Sequence, residues 1–125
     1  MASYRKNKVA NEIKKIIAQT ILTEVKDPRI ELVSITHASV SNDLQIAHLS
    51  WLSSSNRTKQ DIQKALDNAK PFLRTVLAKK LNIRKVPQLN FHYDDNFEKA
   101  NHMMELIDKL KKDGQMGTSE NESQQ

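Results

Sequence analysis

Apolar residues recur at helical spacing from early in the chain. Val9, Ile13, Ile16, Ile17, Ile21 and Val25 fall on one stripe, with Lys8, Glu12, Lys15 and Gln19 on the opposite face. This predicts a helix over residues 5 to 25, ended by Asp27-Pro28-Arg29 because the residue before a proline is driven out of the α region. The period then switches to two. Residues 31 to 53 read as a β-hairpin in which Val33 and Ile35 share one parity and Ala38 and Val40 the other, so a bulge is expected near His37. Ser41-Asn42-Asp43 supplies the turn. The returning strand sets Ala47, Leu49 and Trp51 on one face and Ile46, His48 and Ser50 on the other.

A second helix is predicted over 57 to 70, with Ile62, Ala65, Leu66 and Ala69 apolar. Pro71 follows, and Phe72, Leu73, Val76, Leu77 and Leu81 continue the stripe. Proline is tolerated in a first helical turn and damaging in an interior, so the expectation is a kink or break at Ala69-Lys70-Pro71 and a new short helix beyond it. Val86 to Tyr93 reads as a third strand, with Leu89, Phe91 and Tyr93 on one face and Gln88, Asn90 and His92 on the other. Asp95-Asn96-Phe97-Glu98 has capping-box spacing ahead of a last helix to about Lys112, with Met103, Leu106, Ile107 and Leu110 apolar. Residues 113 to 125 are polar and expected to be disordered.

The order is therefore α-β-β-α-α-β-α. The long helical segment between the second and third strands favours a parallel pairing with a right-handed crossover. The fold class is α+β: a three-stranded mixed sheet with helices on one face, its core filled by Trp51, Phe72, Phe91 and the aliphatic stripes.

Charge adds direction. The 125 residues hold 20 Lys+Arg and 15 Asp+Glu. Asp113, Glu120 and Glu122 lie in the tail without a base, so residues 1 to 112 set 20 bases against 12 acids, a balance of +8. The sequence pI is near 9.5. A body this basic suits a polyanion such as nucleic acid or an anionic membrane surface. There is no cysteine, hence no disulfide, thiolate site or Cys nucleophile. No apolar run reaches the ~18 residues of a membrane span, and the basic start has no apolar core of a secretory signal, so no membrane partner is expected. The two glycines, Gly114 and Gly117, both lie in the tail, which rules out a glycine-rich phosphate loop in the body.

The main chemical feature is the stretch from Asn68 to Tyr93. It carries Lys70, Arg74, Lys79, Lys80, Arg84 and Lys85 and no acid. Arg74 and Lys79 are expected to project away from the apolar stripe, with Arg84-Lys85 in the turn after it. Arg5, Lys6, Lys8, Lys14 and Lys15 form a second cluster. A single basic run is more often a solvated face; two runs, with acids missing from so long a segment, point to phosphate contact. His37, His48, His92 and His102 have no HxxxH or HExxH spacing, so no metal site is expected. His48 and His92 can share the open sheet face, where hydrogen bonding or stacking on RNA is conceivable. Asp94-Asp95 reads as helix capping. Ser53 to Ser55 have no evident base and read as loop. Gly114-Gln115-Met116-Gly117 spells GxxG, but outside the helix pair where such a loop clamps phosphate. No catalytic residue and no cofactor is indicated.

Four segments carry a resemblance: Asp27-Pro28-Arg29, Val40-Ser41-Asn42-Asp43-Leu44, Ala69-Lys70-Pro71-Phe72-Leu73-Arg74 and Val86-Pro87-Gln88-Leu89-Asn90-Phe91-His92-Tyr93-Asp94-Asp95. In this order and spacing the chain resembles the bacterial ribosome-binding factor A family over about residues 5 to 110. The resemblance implies a type II KH-like fold, α-β-β-α-kink-α-β, without the GxxG loop and with an alanine kink between the central helices. Ala69 takes the kink position. Pro71 stands where the family usually has glycine, and Asn96 and Ala100 stand where it tends to have serine and glycine. The implied activity is binding rather than catalysis: a cytoplasmic, monomeric assembly factor for free 30S small subunits. It would act near the 5′-terminal helix region of 16S rRNA and support late maturation of the 5′ end and growth in the cold. Carried onto this chain, Arg74, Lys79, Lys80, Arg84 and Lys85 would contact phosphate with Lys70 at the kink, and Lys8 and Lys15 would extend the surface. The RNA-binding domain would be residues 1 to 112. A docking module for an acidic partner protein is the alternative, and a small nuclease, which would need an acid/base or metal cluster, is remote.

Overall fold

The computed structural model describes residues 2 to 112; the expected tail, with its GxxG, lies outside the described residues. The elements are α1 (Ala2–Thr23), β1 (Val33–Val40), β2 (Ile46–Ser53), α2 (Lys59–Lys80), β3 (Gln88–Tyr93) and α3 (Asn96–Lys112), with a short 3-10 turn at Pro28–Ile30. They fall into two units, a body ending at Asp94 and a second unit beginning at Asp95.

In the body, β1 pairs antiparallel with β2, and β2 pairs parallel with β3, giving the order β1-β2-β3. The register breaks between Ile35 and His37, which leaves Thr36 as the bulged residue. The extra residue restores Ala38 and Val40 to the face that Val33 and Ile35 occupy. The Thr36 hydroxyl reaches the Ser50 carbonyl at 3.3 Å and the Asp94 carboxylate. Asp94 thus ties the bulge to the end of β3, a role that its place ahead of a helix did not suggest. Asp95 opens α3, its carbonyl accepting the first helical bond from Lys99 N–H at 2.9 Å.

α1 packs on β1, α2 packs on β3, and the two helices touch each other. The core they share holds Ile13, Ile17, Ala47, Leu49, Trp51, Ile62, Leu66, Leu73, Leu77, Leu89 and Phe91. Trp51 is buried and its indole N–H donates to Gln63 Oε1 at 2.9 Å, while Gln63 Nε2 donates to the Phe91 carbonyl at 2.9 Å. Gln63 therefore pairs a buried donor and joins α2 to β3. Thr20, the buried polar residue of α1, donates to the Ile16 carbonyl at 2.7 Å.

The expected break at Ala69-Lys70-Pro71 is corrected. α2 runs unbroken from its N-cap Thr58 to its C-cap Leu81, with Pro71 inside it. The reason lies in the phase of the stripe. Ile62, Ala65 and Leu66 before the proline and Leu73, Val76 and Leu77 after it are all buried on one face. Leu66 and Leu73 stand two helical turns apart, so continuing the helix keeps both groups on the core, and their burial outweighs one lost N–H bond. Pro71 points to solvent. The same phase corrects Phe72, expected in the core: it is 44% exposed and lies at the margin beside Val25, Ala65 and Ala69.

Candidate nucleic-acid interface

The candidate cations are positioned by a few pieces of backbone. The last turn of α2 presents Lys79 and Lys80 to solvent, where cations also oppose the negative end of the helix dipole. The connection from Leu81 to Pro87 is pinned at intervals. Leu81 and Pro87 are buried and Ile83 and Val86 half-buried, while Asn82, Arg84 and Lys85 stand exposed between them. Alternate anchoring turns Arg84 and Lys85 outward on a segment that is itself fixed to the core.

Arg74 behaves differently from its neighbours. It is half-buried, and its Nε donates to the Pro87 carbonyl at 3.1 Å and its Nη2 to the Val86 carbonyl at 3.0 Å. This corrects the expectation that Arg74 projects into solvent. The guanidinium fork satisfies two carbonyls just before β3 and holds the basic connection to α2. Lys70 is also engaged: its Nζ lies 3.1 Å from Asp67 Oδ1, a partly exposed pair one turn apart on α2.

α1 completes the surface. Arg5, Lys8, Val9 and Glu12 line a groove together with Leu81, Asn82 and Ile83. Lys8, Glu12 and Lys15, with Asn7 and Asn11, line a shallow neighbour of it. The two basic clusters, far apart in sequence, are thus brought to one end of the body. Lys8 shares its groove with Leu81, Asn82 and Ile83, the residues between Lys80 and Arg84, and Lys15 lies about two turns further along α1. Glu12 is the acid that lines both grooves. Lys6 Nζ donates to Asn42 Oδ1 at 2.9 Å, so the hairpin turn sits at this same end. Arg5 belongs to the basic cluster that the sequence marks on the first helix; Asn82 carries no such signal.

Two carboxylates near these turns are held below the usual range. Asp27 accepts from Arg29 Nε at 3.1 Å, Nη2 at 2.8 Å and backbone N–H at 3.0 Å, and the Arg29 side chain is the main cause of its lowered pKa. Asp43 is lowered chiefly by the Ser41 hydroxyl, 2.7 Å away, and by the Gln45 N–H. Both shifts reflect built turns. Asp27 caps the 3-10 turn, and Ser41 and Asp43 close the hairpin around Leu44, which takes a left-handed φ of 61°. Among the described residues no group of three or more His, Asp or Glu is placed to share a metal ion, and no helix is long and apolar enough to cross a membrane.

Comparison with known proteins places this arrangement. The profile of the family described as ribosome-binding factor A matches residues 5–107. Ribosome-binding factor A of Hydrogenovibrio crunogenus is 38% identical over 107 residues, covering 82% of this chain and 88% of the relative. The crystal structure of ribosome-binding factor A from Thermus thermophilus superposes with a TM-score of 0.65 at 24% identity, over 70% of this chain and 93% of that one. A Thermus thermophilus homology model fitted into the cryo-EM map of a 30S complex gives 0.58 at 24% identity, over 68% and 90%. That fold is the KH-like α+β arrangement described above. From the matched profile and the identity across most of its length, the chain belongs to the ribosome-binding factor A family.

Proposed function

We propose that this chain is an assembly factor that binds the small ribosomal subunit through phosphates of its rRNA, and that it acts as a binding protein rather than an enzyme. The observation that carries the reading is that Arg5 and Lys8 share a groove with Leu81, Asn82 and Ile83, the stretch that the exposed Lys79, Lys80, Arg84 and Lys85 flank. Exposed cations on anchored backbone suit a polyanion whose phosphates are fixed in space. Family membership and the placing of a Thermus thermophilus relative in a 30S map support the small subunit as the target. The finer parts of the proposal are contact near the 5′-terminal helix region of 16S rRNA, support of 5′-end maturation and of growth in the cold, and action as a cytoplasmic monomer. Lys15 extends the surface along α1. Lys70 sits at its edge beside Ala69 and Pro71, the point about which α2 would bend. Arg74 supports the surface from behind.

Sedimentation tests the reading. Tagged protein from a cell extract is expected to travel with free small subunits, and the Lys79→Glu/Arg84→Glu variant to remain at the top of the gradient with an unchanged melting temperature. Co-sedimentation of that variant at the wild-type level would overturn the assignment of this surface.

A further inference from the structure

The open face of the sheet places two histidines in direct contact. β2 and β3 are parallel with Ser50 opposite His92 and His48 opposite Asn90, so the two imidazoles meet on the diagonal of one face. His48 Nδ1 lies 3.2 Å from His92 Nε2, with ring centroids 5.3 Å apart and ring planes 31° apart. His92 is exposed and His48 half-buried. We propose that this pair is a bidentate site for a borderline divalent cation of the zinc, copper or nickel type.

The geometry is the argument. The 3.2 Å contact lies at the long end of the hydrogen-bond range. Two imidazole nitrogens each ~2.05 Å from one tetrahedral zinc ion lie about 3.3 Å apart. The observed separation fits a shared ion once the rings turn so that both inner lone pairs meet at one point. Both nitrogens sit on neighbouring, hydrogen-bonded strands, so little chain entropy is lost when they converge on an ion. The chemistry selects the class of metal. Imidazole suits zinc, copper and nickel, whereas magnesium and calcium require oxygen donors. The same face carries Ser39, Ser50 and Asn90 near the pair and His37 opposite Ser50 on β1, while the Asp94 carboxylate is engaged by the Thr36 hydroxyl. Neutral imidazole has one N–H, and in the present contact one ring directs it at the other. On metal binding that ring moves its proton to its outward nitrogen, His48 to Nε2 or His92 to Nδ1, and both inner lone pairs meet the ion with no net proton released. The two coordination positions left open take water. The sequence puts both histidines on the open sheet face, and the parallel register brings the two, 44 positions apart, into contact. The inference is independent of the rRNA reading.

Zinc chloride titration of the full chain, followed through the imidazole C–H resonances by NMR, tests it. His48 and His92 are expected to respond together along one isotherm at one ion per chain, with His102 unaffected and excess magnesium without effect. His92→Asn is expected to weaken the response of His48 at least tenfold, about 1.4 kcal/mol. A response of His102 equal to that of the pair, no response in the pair at millimolar zinc, or an unchanged His48 isotherm in the His92→Asn variant would each overturn the proposal.

Discussion

Replacing Arg74 by methionine keeps most of the side-chain volume and removes the two bonds that its guanidinium makes to the Val86 and Pro87 carbonyls. A hydrogen bond from a charged donor contributes about 1.5–3 kcal/mol, and a buried acceptor left unpaired costs about 1–3 kcal/mol. The site is half-buried, so water can reach part of what the truncation exposes, and the two losses do not add in full. The expected cost is about 2–3 kcal/mol. In a domain of 60 to 100 residues each kcal/mol moves the melting temperature by about 4–8 °C, so a fall of roughly 10–20 °C is expected in a circular-dichroism melt. Arg74→Lys sharpens the test. It keeps the charge but has no planar fork, so it is expected to lose most of the same stability. Well below both melting points, the salt dependence of RNA affinity is expected to match the wild type for either variant. If Arg74→Lys melts with the wild type while Arg74→Met loses one unit of salt slope, Arg74 is a phosphate contact and the clamp is incidental.

Two further outcomes follow from local structure. Pro71 denies α2 the N–H that would bond the Asp67 carbonyl, and its ring faces solvent. Pro71→Ala is therefore expected to raise stability by about 1–2 kcal/mol in a urea titration, part of the ~3 kcal/mol interior penalty being offset by the freer unfolded chain. Asp27 has a folded-state pKa below its unfolded value, chiefly through Arg29, so its contribution is complete above the ordinary carboxylate range and is lost as pH falls through the lowered value. Asp27→Asn keeps an oxygen for the turn. It is expected to be less stable than wild type at neutral pH, with the gap narrowing as pH falls below the ordinary carboxylate range, as denaturant melts across that range would show.

Much of this architecture is legible in the chain. The parity switch around His37 marks the bulge because a single extra residue is the one way to keep Ile35 and Val40 on the same face. The long helical segment before β3 implies the parallel crossover. Pro71 misleads when local propensity is set above packing, although the phase from Leu66 to Leu73 already favours a continuous helix. Arg74 misleads for a related reason. Its helical phase lies beside the stripe, and the carbonyls it serves belong to a connection whose path no periodicity describes. The basic residues themselves stand out as two clusters, but that Lys8 adjoins Asn82 depends on how α1 and α2 pack. Tertiary register likewise decides that His48 and His92 touch.

The central claim is that one basic end of the body reads rRNA phosphate. Anisotropy titration on a small-subunit rRNA fragment across a salt series tests it most directly. Log affinity is expected to fall linearly with log salt, and the slope to drop by about one unit for each of Lys79, Lys80, Arg84 and Lys85 that is neutralised. A slope that stays at the wild-type value when all four are replaced by glutamine, in a protein that still melts normally, would contradict the account.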